Sequence, residues 1–480
     1  LITCHISYSK KNSTEQLFDD SFRREDAPTP GQRDCSEPPG GYEKNPAAKV
    51  ENNQETQMKN DGRVSEIVLA LTPRRRILKA GAALAGASIL GFPAIVHGQS
   101  DKIKIGHLTP RTGFLGPLGE YAVMSITLAV EEVNRAGGVM GRQLELISED
   151  SVNPSTASSK AQRLLERDGA VVLIGEISSA SGLAISQVAG RNKRIFINTG
   201  CNSDELRGKS CNKYMFHVEG ANSTYVKACG QALMRNNLIK GKKLFGLTAD
   251  YAFGHDLLRV ARIFINANGG TLIQDELVAT DATDFSPYLL KIRQAKPDLV
   301  ISNLAGNQIT NFIKQYAEFG LPYPIAGFGF DTAVAWGAGA DNFAGTWPMI
   351  WHHDVDTPSS KAFVAAFTKK YGKPPENQAW GEYVALKAMV QGMSETKSTD
   401  SAKLVEYFEK GAQLDILKAR KGSFRAWDHQ LMQEMYTVSP KPKGKAKDQW
   451  DFMALGPTVP GPNESLEVLA PTREENACNM

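Results

Sequence analysis

Residues 103–150 read IKIGHLTPRTGFLGPLGEYAVMSITLAVEEVNRAGGVMGRQLELISED, and the periods within this stretch decide the fold. The apolar run 103–108 predicts a strand. Residues 119–136 predict a helix, because Ala122, Ile126, Ala129 and Val133 recur at helical spacing. Gly137-Gly138 supplies the left-handed stop that ends such a helix, and 144–149 reads as the next strand. Working outward, 155–167 predicts a helix and 170–174 a strand. Strands alternating with helices imply a parallel sheet covered on both faces. The pattern then recurs: strand 244–247, helix 255–267 stopped at Gly269-Gly270, strand 276–279, helix 285–294 and strand 299–302. The two Gly-Gly stops lie 132 residues apart (269 − 137). The expected fold is therefore α/β with two similar lobes, each a parallel sheet with helices on both faces. A cleft at the carboxyl ends of their strands is where such folds take small ligands.

The chain has 480 residues, enough for about two to four domains. Its 55 Lys+Arg against 52 Asp+Glu give a net charge of +3, too balanced for a nucleic-acid binder working through a basic patch. No uninterrupted apolar run reaches the roughly 18–20 residues of a membrane-crossing helix, which excludes a polytopic membrane protein. Residues 1–71 are expected to be a disordered or wrongly assigned extension, since the first 57 have five prolines and no apolar period. Thr72-Pro73-Arg74-Arg75-Arg76-Ile77-Leu78-Lys79 precedes the uncharged run 80–92 and a small-residue exit near Gly98. A basic segment, a weakly apolar segment and small residues form an export signal over 72–98. The pair Arg74-Arg75 is similar to the twin-arginine type, which places the mature chain in the periplasm.

The order of several short motifs then carries a resemblance. Gly113 with Gly119, Asn134-Arg135-Ala136-Gly137-Gly138, Glu149-Asp150 and Gly175-Glu176-Ile177-Ser178-Ser179 come first. Glu205-Leu206, Tyr251-Ala252-Phe253-Gly254, Asp284-Phe285-Ser286 and Gly422-Ser423-Phe424 follow. Over some 350 residues this resembles the periplasmic substrate-binding proteins of branched-chain amino-acid ABC transporters, the type I two-lobed fold. The resemblance implies lobe 1 over 101–219 plus 351–425, lobe 2 over 220–350 plus 426–456, and a C-terminal tail over 457–480 without a core pattern. It also implies a ligand α-carboxylate held by Ser179, Gly200 and Asn202. At the family's acidic position stands Gly329, with Asp331 two residues on. At its tyrosine positions stand Leu118, Phe253 and Ala305. Either Asp331 replaces the missing acid, or the ligand is an organic or aromatic acid without an amine. Tyr251, Phe114, Phe330, Trp336, Arg111 and Trp380 are further residues for the cleft wall.

Export makes disulfides reasonable. Cys201 and Cys211 would close a short loop behind the ligand loop, with Cys229 as the alternative partner of Cys211 and Cys478 in the tail. His352-His353-Asp354 lacks the i, i+4 arrangement of helical zinc sites, so no metal is expected. No nucleophile elbow, Walker loop or dinucleotide fingerprint is present, so neither a cofactor nor an enzyme is expected. The leading reading is a monomeric periplasmic receptor that delivers a small carboxylate-bearing ligand, an amino acid or an organic acid, to an inner-membrane ABC permease and its ATPase subunits. A sensor of the same fold feeding a membrane receptor is the alternative.

Overall fold

Five strands open the chain's first sheet: β1 (Ile103–Thr109), β2 (Leu144–Asp150), β3 (Val172–Gly175), β4 (Ile195–Asn198) and β5 (Met215–His217). They are parallel, in the order β2-β1-β3-β4-β5. The computed structural model describes residues 102–480. The extension and the export signal with Arg74 and Arg75 lie outside the described residues. Three helices cover this sheet: α1 (Gly116–Arg135), α2 (Pro154–Glu166) and α3 (Ser179–Arg191). Helix α1 buries Leu118, Ala122, Ile126, Ala129 and Val133 along one face, as its spacing dictates. It ends where Gly137 and Gly138 take positive φ; a Cβ on Gly138 would lie 2.0 Å from the Arg142 carbonyl oxygen. By length and composition 113–135 could cross a membrane, but it is packed into the core.

Helix α4 (Asn222–Arg235) leads into the second sheet: β6 (Lys243–Ala249), β7 (Thr271–Val278), β8 (Leu299–Asn303) and β9 (Ile325–Gly327). Its order, β7-β6-β8-β9, repeats the first four positions of the first sheet, again parallel. The intervening helices are α5 (Ala252–Ala267), α6 (Ser286–Ala295), α7 (Asn307–Phe319) and α8 (Thr332–Ala338). The two-lobe expectation is met. Strand β7 starts five residues before the expected 276, because this edge strand is largely solvent-facing and lacks a continuous apolar run.

After β10 (Trp347–Met349) the chain returns to the first lobe with α9 (Pro358–Tyr371), α10 (Asn377–Thr396) and α11 (Ser401–Glu409). Helix α10 packs on α1, and Ser125 Oγ donates to the Ala379 carbonyl at 2.5 Å. The hairpin β11 (Ser423–Phe424) and β12 (Leu431–Met432) also belongs there, since Gln430 bridges His217 of β5. The third crossing therefore lies beyond Met432, later than the expected 426. Strands β13 (Tyr436–Pro440) and β14 (Met453–Leu455) then pair with β10.

Two expectations need correction. Cys211 is bonded to Cys478, not to Cys201. Cys201 is a buried thiol packed beneath α3, where a Cβ on Gly182 would lie 2.6 Å from its Sγ. The tail is also no loose appendage: Val459, Leu469, Ala470 and Cys478 are buried. Polar ties complete the docking, with Lys227 Nζ donating to Glu475 at 2.7 Å and Arg425 to the Pro471 carbonyl at 3.0 Å.

Candidate functional site

The carboxyl ends of both sheets meet at one cleft, walled by residues of both lobes. Phe114 of the first lobe sets its ring edge-on to Tyr251 of the second at 5.4 Å between centroids. Gly306, at φ +51°, abuts Phe114 so closely that a Cβ would stand 2.1 Å from its carbonyl oxygen. Asn377 and Gln378 reach from α10 to Asp331 of the second lobe at 2.6 and 3.0 Å. The lobes are closed on each other.

The first-lobe wall differs from expectation in one residue. Gly200 and Asn202 line the cleft, but Ser179 does not: it is wholly buried in the first turn of α3, where its Oγ accepts from the Ser203 amide at 3.2 Å. Ser178, not Ser179, caps the helix. Glu176 folds onto the turn just ahead of α3. This residue turns back at φ +70°, and its Oε1 accepts from the amides of Ile177 and Ser178 at 3.1 and 2.9 Å. Burial, opposed by those hydrogen bonds, pushes Glu176 up to about 7.

The second-lobe wall explains the missing acid. A Cβ on Gly329 would lie 2.8 Å from Phe253 Cζ, so the phenyl ring fills the room an acidic side chain would need. Asp331, two residues on, lines the cleft with Leu118, Tyr251, Phe253, Ala305 and Phe330. Burial raises its pKa against the bonds from Gln378 and Asn377. Sequence reasoning missed a second acid, Glu219. It is 1% exposed, and its Oε1 accepts from Tyr225 Oη at 2.6 Å, the Gly220 amide at 2.7 Å and Asn202 Nδ2 at 3.0 Å. Burial, with Asp331 nearby, pushes it up to about 7. The available signal was an isolated acid between an apolar strand and Gly220 at the first crossover.

Behind this wall, buried Arg207 donates to the carbonyls of Cys201, Ser203, Glu219 and Gly220 and to Gln430. It fixes the ligand loop to the first crossover. Three other expected wall residues lie elsewhere. Arg111 is exposed and bonded to Ser148 and Asp150, Trp380 is core with its Nε1 on the Ile416 carbonyl, and Trp336 donates to the Trp450 carbonyl. His352, His353 and Asp354 each place one ligand-type atom within 4.8 Å of the others, and Lys441 Nζ lies 3.8 Å from Asp354 Oδ2.

A family model described as periplasmic binding protein matches residues 102–445. The chain belongs to that family. A Leu/Ile/Val-binding protein homolog 7 from Brucella melitensis is 26% identical over 350 residues, covering 68% of this chain and 83% of the relative. Among solved structures, a periplasmic binding protein from Burkholderia mallei is 28% identical with a TM-score of 0.72, covering 79% of this chain and 98% of that one. A branched-chain amino-acid ABC transporter periplasmic ligand-binding protein from Burkholderia xenovorans is 25% identical with a TM-score of 0.69, covering 79% and 100%. Members of this family are substrate-binding proteins rather than enzymes.

Proposed function

We propose that this protein is the periplasmic receptor of an ABC importer. It captures a small amine-bearing solute between its lobes and delivers it to an inner-membrane permease with ATPase subunits, after twin-arginine export directed by 72–98. The carrying observation is that one cleft is walled from both lobes, so only the closed arrangement contacts a solute on both sides. The names of the relatives, Leu/Ile/Val-binding homologues among them, support the transport role. Glu219 and Asp331 stand where a positive group on the solute would be met.

The test is small-angle scattering of the mature protein, freed of solute by refolding, combined with mass spectrometry of whatever co-purifies. The radius of gyration should fall at saturating solute, and Asp331→Asn should reduce the compaction. An unchanged radius at saturation would remove the cleft as the capture site.

A further inference from the structure

Five backbone N–H donors at the first-lobe end of the cleft are already engaged within the protein. The Ile177 and Ser178 amides point to Glu176, and those of Gly200 and Cys201 donate to Asn198 Oδ1 at 3.1 and 2.7 Å. The Ser203 amide holds Ser179 Oγ. Among the side chains of the wall, Asn202 Nδ2 is committed to Glu219 and the Gly220 carbonyl, Gln378 Nε2 to Asp331, and Tyr225 Oη to Glu219. Tyr251 keeps the one side-chain donor in the wall without a hydrogen-bond partner among the described residues, and the wall contains no Lys or Arg.

Acceptors show the reverse. Glu219 and Asp331 each use one oxygen within the protein, and no hydrogen bond among the described residues reaches the other. Gln378 Oε1 is buried and unpartnered. The positive charges nearest by, Arg207 and Lys418, are buried behind the wall. Arg207 is directed at backbone carbonyls and Gln430, and Lys418 at Gln433 and the Glu434 carbonyl. Aromatic rings of Tyr251, Phe253, Phe328 and Phe330 complete the enclosure. Carboxylates beside aromatic faces, with water excluded, form a setting for a cation. A carboxylate there would meet two like-charged groups and no Lys or Arg.

We propose, building on the reading of this cleft as the solute site, that the solute is a small organic cation without a carboxylate: an amine, a quaternary ammonium or a guanidinium. Matched pairs that differ in one carboxylate test this by titration calorimetry on the refolded mature protein at pH 8. The pairs are isoamylamine and leucine, agmatine and arginine, choline and betaine, benzylamine and phenylglycine. At least one cation should bind, roughly 100-fold or more tighter than its carboxylate-bearing partner. Glu219→Gln and Asp331→Asn should each weaken it about 10- to 100-fold, the loss of a charge-assisted contact. Tighter binding by the carboxylate member of a pair, or binding by none of the eight, would overturn the proposal. A carboxylate solute lost in Asp331→Asn would leave the cleft as the site and remove only the cation class. A solute indifferent to both acid variants and to Phe253→Ala would remove the cleft reading as well.

Discussion

In the first lobe β3 ends at Gly175 and Glu176 follows before α3; in the second, β9 ends at Gly327 and Asp331 precedes α8. Both acids lie between a strand's carboxyl end and a helix N-terminus, yet they do opposite things. Glu176 takes a left-handed backbone and folds onto the two amides just ahead of its helix. Asp331, extended at φ −127°, makes no cap bond to its own helix and reaches instead across the cleft to Asn377 and Gln378. One acid is spent on the turn that carries it; the other leaves an oxygen for something positive. Strand-to-helix turns thus yield a self-satisfied wall in one lobe and an open acidic one in the other.

The self-satisfied wall can be broken from behind. Arg207→Leu removes five hydrogen bonds donated to buried acceptors, and should cost about 3–5 kcal/mol of stability. Urea denaturation with an unchanged slope would measure it, and a loss below about 1 kcal/mol would show that the wall does not depend on this brace. The outer end of the same wall is tied to the tail, where a Cβ on Gly208 would lie 1.8 Å from Asn476 Oδ1 and Cys211 joins Cys478. Cys478→Ser should destabilise by about 2–4 kcal/mol, visible as a lower thermal midpoint. A tail docked only by polar contacts would leave the midpoint nearly unmoved.

Two buried acids near the cleft give a pH signature. Glu176 faces Ser151, Glu382 and two amides; Glu219 faces Tyr225, Asp331, the Gly220 amide and Arg207. Both are raised to about 7, above the ordinary carboxylate value. Their contribution to stability is therefore full below about pH 4.5 and lost as pH rises through about 7, by roughly 3 kcal/mol each. Ligand-free protein should be less stable at pH 8 than at pH 5, and Glu176→Gln should flatten that slope. A stability that rises from pH 5 to pH 8 would mean both carboxyls sit at ordinary values. The smallest effect concerns closure: Gly306→Ala puts a Cβ against the Phe114 carbonyl at a positive φ and should weaken solute binding about tenfold, near 1.4 kcal/mol. Unchanged affinity would mean the lobes need not approach this closely.

Much of the fold was legible because its signals are local. The apolar face of α1 and its Gly137-Gly138 stop, repeated in α5 with Gly269, required no tertiary information. Strand β7 and the tail were misread for a shared reason: neither has a continuous apolar pattern, and the tail is held by a crosslink to Cys211 and by charged side chains. Within the site, Gly200, Asn202, Leu118, Tyr251, Phe253 and Asp331 were placed in the cleft by motif order. Ser179 sits behind the cleft wall, and a serine at a helix start looks the same in sequence whether its hydroxyl faces a ligand or the neighbouring loop. Glu219 escaped notice because its role depends on Tyr225 and Asn202, which meet it only in the folded chain.

The charge preference of the cleft is tested most directly by counting protons on binding. Isoamylamine is titrated into the protein at pH 6.5 in two buffers of different ionisation enthalpy, with leucine as the comparison. If the cation must be met by an ionised Glu219, binding releases a proton near pH 6.5 and affinity climbs toward pH 8 before levelling. Leucine should bind far more weakly. Tighter leucine binding with no proton release, or an amine affinity that falls as pH rises, would contradict the account.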